Sequence, residues 1–276
     1  MEEMIKEVNE AKYGADLASI FEAQQRISSY VHRTPVLTSE SLNAVSGRRL
    51  YFKCELFQKG GAFKFRGACN AVFSLDHVEA ANGVVTHSSG NHAAALSLAA
   101  KLRGIPAYVV IPKNAPQCKV DNVIRYGGNV IWSEPTLASR EATADSTMKE
   151  TGAVFVHPYN DGRIMRHASL LSRKNTLPNM SVGQGTISLE FLEQVPQLDM
   201  IIVPISGGGL ISGVTLAAKA LNPSIKILAA EPLGANDAAL SKAAGEIMRV
   251  PFTETIADGL CAFLGSLTWP VVRDLV

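Results

Sequence analysis

The chain has 276 residues, long enough for one large domain or two moderate ones, and its 47% hydrophobic and 18% charged residues describe a globular, enzyme-like chain rather than a disordered or fibrous one. A formal net charge of +1 without a long basic run gives no support for a nucleic-acid or anionic-membrane partner. The four cysteines, Cys54, Cys69, Cys118 and Cys261, are scattered with no CxxC pair, so neither a zinc ribbon nor a disulfide framework is indicated and reduced thiols are expected.

The opening residues Met1–Glu7 are acidic and carry no apolar run of the kind a secretory signal needs, so a cytoplasmic location is expected. Residues 18–31 place Ile20, Ala23, Ile27 and Tyr30 or Val31 on one helical face. A short strand is expected at 50–54, ahead of a loop holding Lys64. A second strand at 83–86 runs into Ser88 and Ser89, either of which suits the cap of a helix at 93–102. A strand at 107–111 and a helix at 117–126, ended by Gly127-Gly128, follow. Next come a strand at 129–132, a helix at 139–150 and a strand at 153–156. Repeated strand and helix units of this length imply a parallel sheet covered on both faces.

Residues 162–181 break this order. They are rich in Arg, Lys, Ser, Asn and Pro, have no clear period, and read as a long loop or insert. The alternation resumes with a helix at 186–194, a strand at 200–204, a glycine loop, a helix at 211–220 and a strand at 225–230. Residues 200–218 are uncharged, but Pro204 and three successive glycines suit strand, loop and helix better than a membrane span.

Three segments carry chemistry. The first is Gly60-Gly61-Ala62-Phe63-Lys64-Phe65-Arg66-Gly67-Ala68, where Lys64 is either an exposed charge in a glycine-rich loop or a desolvated amine whose neutral form reacts with an aldehyde. The second is His87-Ser88-Ser89-Gly90-Asn91-His92, a hydroxyl- and amide-rich turn ahead of a helix. The third is Pro204-Ile205-Ser206-Gly207-Gly208-Gly209-Leu210, between a strand and a helix. Its glycines either let backbone amides approach a phosphate or let the helix lie close to the strand. No GxGxxG opens a helix and no GxxxxGK[ST] is present, which argues against a dinucleotide or P-loop site.

In that order the three segments resemble the fold-type II pyridoxal-phosphate enzymes, in the group holding the serine racemases and the serine/threonine dehydratases. The likeness runs from His32-Arg33-Thr34-Pro35 to Asn160 and from Gly183-Gln184-Gly185-Thr186 to Trp269-Pro270-Val271-Val272-Arg273-Asp274-Leu275-Val276. It implies an α/β fold with two doubly wound parallel-sheet domains. Residues 15–82 with 183–276 would form the large cofactor-binding domain and residues 83–161 the small one, with 162–182 an atypical insert.

The resemblance also implies roles. Lys64 would hold pyridoxal 5'-phosphate and act as a base at the substrate Cα, with Ser89 as the proton-transfer group of the opposite face. Phe63 and Gly259 would flank the cofactor ring, Asn91 would bond its phenolic oxygen, and Ser206, Gly207, Gly208, Gly209 and Leu210 would hold its phosphate. Ser88, Ser89, Gly90 and Asn91 would receive the substrate carboxylate. Glu231, Asp237 and the carbonyl of Ala235 would bind Mg2+ or Ca2+. The implied reaction interconverts L- and D-serine, with β-elimination of water alongside. Threonine or hydroxyaspartate dehydration and a catalytically impaired homologue are the alternatives. A homodimer with ATP as an effector is implied, and no nucleic-acid or membrane partner. Two departures bear on activity: residues 165–182 are interposed, and the chain stops at Val276 where relatives continue, so reduced stability and cofactor affinity are expected.

Overall fold

The structure, a computed structural model, describes residues 13, 15–159, 179–250 and 255–276. Its helices, among the described residues, are α1 (Leu17–Ile27), α2 (Glu40–Ser46), α3 (Lys64–Ser74), α4 (His77–Ala81), α5 (Asn91–Arg103), α6 (Gln117–Arg125), α7 (Leu137–Thr151), α8 (Asn179–Gln194), α9 (Gly209–Leu221), α10 (Asp237–Ala244) and α11 (Trp269–Leu275). The strands are β1 (Val36–Leu37), β2 (Phe52–Lys53), β3 (Val84–His87), β4 (Ala107–Pro112), β5 (Asn129–Ser133), β6 (Val154–Phe155), β7 (Met200–Pro204) and β8 (Lys226–Ala230).

The strands β3 to β6 form one parallel sheet in the order β5-β4-β3-β6. One face packs Val109 and Ile111 against Ala93 of α5 and Val120 and Val123 of α6. The other packs Val85 and Val110 against Ala144 of α7. Both faces are therefore covered, as alternating β and α units require. The chain leaves β3 toward β4 and returns on its other side as β6, so the carboxyl ends of β3 and β6 flank a reversal of strand order, the usual place for a ligand crevice.

The rest of the chain packs mainly helix on helix. A parallel pair, β7-β8, and an antiparallel pair, β1-β2, are the other sheets among the described residues. The face of α1 that carries Ile20, Ala23 and Ile27 is buried as its spacing predicts. The largest apolar cluster joins Ile187 and Phe191 of α8, Ile211 and Val214 of α9, the β7-β8 pair, and Trp269 and Val272 of α11.

Three differences from the sequence pattern have physical causes. Lys64 does not sit in a loop; it is the first residue of α3, whose Phe65, Ala68, Cys69 and Val72 are fully buried. The helix at 186–194 instead begins at Asn179 and runs straight through Gly183-Gln184-Gly185-Thr186. The last residues of the predicted 162–182 insert, 179–182, are thus helical; residues 160–178, the rest of that insert and Asn160 with it, lie outside the described residues. Glycines in these helices are contact points: a Cβ on Gly183 would come within 2.7 Å of Gly67 Cα, and one on Gly213 within 2.1 Å of Ser181 O. Finally, neither Ser88 nor Ser89 caps α5, which starts at Asn91 behind Gly90.

A buried ion cluster ties α3 to α8. Arg66, with no exposed surface, donates to both carboxylate oxygens of Glu55 and both of Glu190, and to the carbonyl of His32. Lys53 donates to Glu190, Gln194 and the carbonyl of Thr34. Burial opposes the Glu190 charge, but Arg66 and Lys53 outweigh it and hold the carboxyl below its ordinary 4.5. Its stabilising contribution is therefore complete above pH 4.5 and is lost as pH falls through the depressed folded-state value. Removing one partner leaves buried charge uncompensated, so Glu190→Gln should lower the unfolding free energy by about 3–5 kcal/mol in urea melts at pH 7. Gly213→Ala should cost about 1–3 kcal/mol, since the added methyl overpacks a helix crossing.

Candidate active site

Three helices begin at one place. α3 starts at Lys64 behind Phe63, α5 at Asn91 behind Gly90, and α9 at Gly209 behind Gly208, and no side chain caps any of the three. All six residues line a single cavity of about 570 Å³. At α3 the amides of Phe65 and Arg66 already donate to the carbonyls of Ala62 and Phe63, so it is the starts of α5 and α9, with the positive ends of their dipoles, that suit anionic ligand groups. Ser88 and Ser89 reach it from the end of β3, and His157, Pro158 and Tyr159 from beyond β6. Pro204 and Ser206 reach it from the end of β7.

The Lys64 amine points inward, donating to the carbonyl of Pro158 at 2.9 Å. It lies 5.3 Å from the Phe63 ring centroid and 5.9 Å from that of Tyr159. Burial without a carboxylate partner pushes its pKa down to about 8. His92 is buried nearby and donates from Nε2 to the carbonyl of Val156, leaving Nδ1 buried without a partner among the described residues. Burial, and then Lys64, push His92 down to about 3, so it is neutral at physiological pH.

The glycine loop is held from behind. Thr268 Oγ1 donates to the carbonyl of Gly207 at 2.7 Å, and the amide of Gly265 donates to the same oxygen. The Ser206 hydroxyl donates to the carbonyl of Ala262 and accepts from its amide. Gly208 adopts φ +87°, where a Cβ would also strike Thr268 Oγ1. With the Ser206 hydroxyl so engaged, the loop has backbone N–H groups and the α9 dipole to offer an anion.

Of the sequence-predicted residues, Phe63, Lys64, Ser88, Ser89, Gly90, Asn91, Ser206 through Leu210 and Gly259 all line this cavity. Ser88 Oγ accepts from the amide of Gly90, whereas the Ser89 hydroxyl makes no hydrogen bond with any described residue.

Residues 27–276 match the family model described as pyridoxal-phosphate dependent enzyme. This chain belongs to that family. Over 270 residues the enzyme is 67% identical to the serine racemase of Arabidopsis thaliana, an alignment covering 98% of this chain and 77% of that one. The structure of maize serine racemase superposes with a TM-score of 0.89 at 62% identity, covering 96% of this chain and 75% of that chain. A threonine deaminase from T.th. superposes with a TM-score of 0.84 at 36% identity, over 95% of this chain and 80% of that one.

The enzyme's cavity also holds residues that the sequence pattern does not single out. Arg140 of α7 lines it with a buried Nε that has no hydrogen-bond partner among the described residues. Lys119 of α6 bridges to Asp258 at 2.7 Å, linking the small parallel-sheet unit to the turn that carries Gly259. Tyr159 and His157 pack edge to face at 5.0 Å. A helical arginine and a tyrosine a few residues past a strand have no local signature, and only the fold brings them here.

Glu231, Ala235 and Asp237 lie outside the cavity lining. Glu231 accepts from the amides of Ala238 and Ala239 at the start of α10, and Asp237 from the amide of Leu264. Burial pushes both carboxyls up, and Asp237 adds to the rise at Glu231. Among the described residues no group of three or more His, Cys, Asp or Glu is placed to hold a metal. The family cofactor fits the cavity chemically, through an inward-facing amine and an amide loop at a helix start. Borohydride reduction with pyridoxal phosphate should therefore place one adduct on Lys64, with a coupling rate that rises with pH about a midpoint near 8, as peptide mass mapping would show.

Proposed function

We propose that this enzyme is a serine racemase that also eliminates water from serine to give pyruvate and ammonia. The observation that carries the reading is that the desolvated Lys64 amine and the Ser89 hydroxyl, which no described residue engages, line one cavity with two further uncapped helix starts. The likeness to the plant serine racemases supports it. Racemisation requires a proton acceptor and a proton donor at Cα, one for each face, and Lys64 and Ser89 are the groups assigned to the task.

Pyridoxal phosphate, when bound, withdraws electrons from the substrate Cα and so makes its proton removable. The protein supplies the rest. The Ser206–Leu210 amides and the α9 dipole would hold its phosphate, Phe63 and Gly259 would contact its ring, and Asn91 would donate to its phenolic oxygen. The N-terminus of α5, with Ser88, Ser89, Gly90 and Asn91, orients the substrate carboxylate. Lys64 moves the proton at one face of Cα and Ser89 at the other. Elimination needs only one of these transfers. Ser89→Ala should thus reduce D-serine formation by roughly 10²–10⁴-fold while pyruvate formation from L-serine persists, and an assay following both products decides it. Equal loss of both products would defeat the two-group reading.

A second reading, dehydration of hydroxyaspartate, is favoured by Arg140, whose Nε, without a partner among the described residues, suits a second substrate carboxylate. A ratio of kcat/KM values that favours hydroxyaspartate over serine, and collapses in Arg140→Ala, would establish it. For the remaining partners, two carboxyls raised by burial, with Asp237 adding to the rise at Glu231, suit a divalent cation, so Mg2+ or Ca2+ would bind Glu231, Asp237 and the Ala235 carbonyl. Mg2+ should raise the Tm of the parent enzyme and not that of Asp237→Asn. A cytoplasmic homodimer with ATP as effector completes the proposal; no helix among the described residues is long and apolar enough to cross a membrane.

A further inference from the structure

Tyr159 holds a position that neither the cofactor roles nor the proton-transfer roles explain. Its ring lies against the glycine loop: a Cβ on Gly207 would stand 2.1–2.4 Å from three ring carbons, and one on Gly209 would stand 3.1 Å from Tyr159 Cβ. The ring is also near the Lys64 amine, 5.9 Å from the centroid, while the carbonyl of the preceding residue, Pro158, accepts from that amine. His157, edge on at 5.0 Å, and itself 5.9 Å from His87, closes the row of rings.

We propose that Tyr159 is a positioning residue for Lys64, a cover that fits over both the amine and the glycine loop and keeps water from them. Two consequences follow from its placement. The ring makes glycine obligatory at 207 for a reason separate from phosphate contact, since any side chain there would lift the cover. The amine is also kept in a low-dielectric setting with the Pro158 carbonyl as its hydrogen-bond acceptor. A ring 5.9 Å away is close to the limit of cation–π reach, about 6 Å, so excluding water outweighs direct attraction for the ammonium. Burial, and after it Asp237, keep the Tyr159 phenol itself protonated. The other titratable or charged groups of the lining are His92 on α5, His87 and His157 at and beyond the strand ends, Arg140, the Cys261 thiol, and the Lys119–Asp258 pair.

The test titrates Lys64 in the cofactor-free protein, by the pH dependence of its reaction with an amine-selective reagent and mass mapping of the labelled peptide. Parent and Tyr159→Phe should share a midpoint near 8. Tyr159→Ser and Gly207→Ala should each move it upward by roughly one unit or more, toward the 10.5 of a solvated lysine, because water then reaches the amine. The double variant should move it no further than either single change, since the ring can be displaced only once. Circular dichroism identifies which variants fold, and either Tyr159→Ser or Gly207→Ala suffices for the reading. An unchanged midpoint in a folded variant overturns the proposal, as does a Tyr159→Phe shift as large as that of Tyr159→Ser, which would assign the effect to the hydroxyl. The inference takes from the proposed function only that Lys64 is the reactive amine. Racemase activity with a failed titration would reject Tyr159 alone, and a confirmed titration without racemase activity would reject the substrate assignment alone.

Discussion

The position of the Lys64 amine depends on a charge cluster two residues away. Arg66 sits within the first turn of α3, and its guanidinium is fixed by Glu55 from the segment after β2 and by Glu190 from α8. With Lys53 the cluster contains two cations and two carboxylates, so its charges balance within a region almost closed to water. Such a cluster contributes little net stability compared with an apolar core of equal volume, yet any arrangement that separates its members is costly. The effect is directional: α3 has one position relative to α8 at which every donor of Arg66 is used, and that position sets where Lys64 emerges. Close glycine contacts between α3, α8 and α9 make the same demand by sterics, so electrostatics and packing select one geometry.

The cavity then follows from element ends rather than from any one loop. Three helix starts and the carboxyl ends of β3, β6 and β7 converge, bringing the positive ends of three helix dipoles toward the cavity. A site assembled in this way favours anions at two separate points, which matches a ligand pair carrying a phosphate and a carboxylate. Desolvation there favours the neutral form of an amine. Lys64 is desolvated, with a carbonyl but no carboxylate of the described residues hydrogen-bonded to its nitrogen.

Much of this was legible in the amino-acid order. Period-two and period-3.6 segments between residues 83 and 156 correspond to β3 through β6 and their helices, because alternating strands and amphipathic helices bury faces that simple spacing reveals. The three motif segments meet in one cavity as their chemistry suggests. What spacing could not reveal was set by contacts between distant parts of the chain. The helical state of Lys64 was hidden by Gly60, Gly61 and Gly67, of which the last is a crossing point where a Cβ would meet Gln184 and Met180. α8 extends upstream of the expected 186–194 because Gly183 and Gly185 are places of close approach to α3, α1 and α9. Arg140 and Tyr159 carry no local pattern at all. Tertiary contact overrides propensity at these positions, and that is where a propensity argument must fail.

The tether behind the glycine loop has a consequence for how the protein matures. Gly265 and Thr268, at the threshold of α11, grip the Gly207 carbonyl from the side away from the cavity. The observed shape of the loop is one in which that late segment of the chain is docked. An anion that prefers the shaped loop must by thermodynamic linkage favour the docked segment too, to the extent of about 2.7 kcal/mol when present at about a hundred times its dissociation constant. Were the cofactor's phosphate that anion, as proposed, it would act as a folding ligand for the segment behind the loop, and the cell's supply of it would set how much of the newly made chain completes its core.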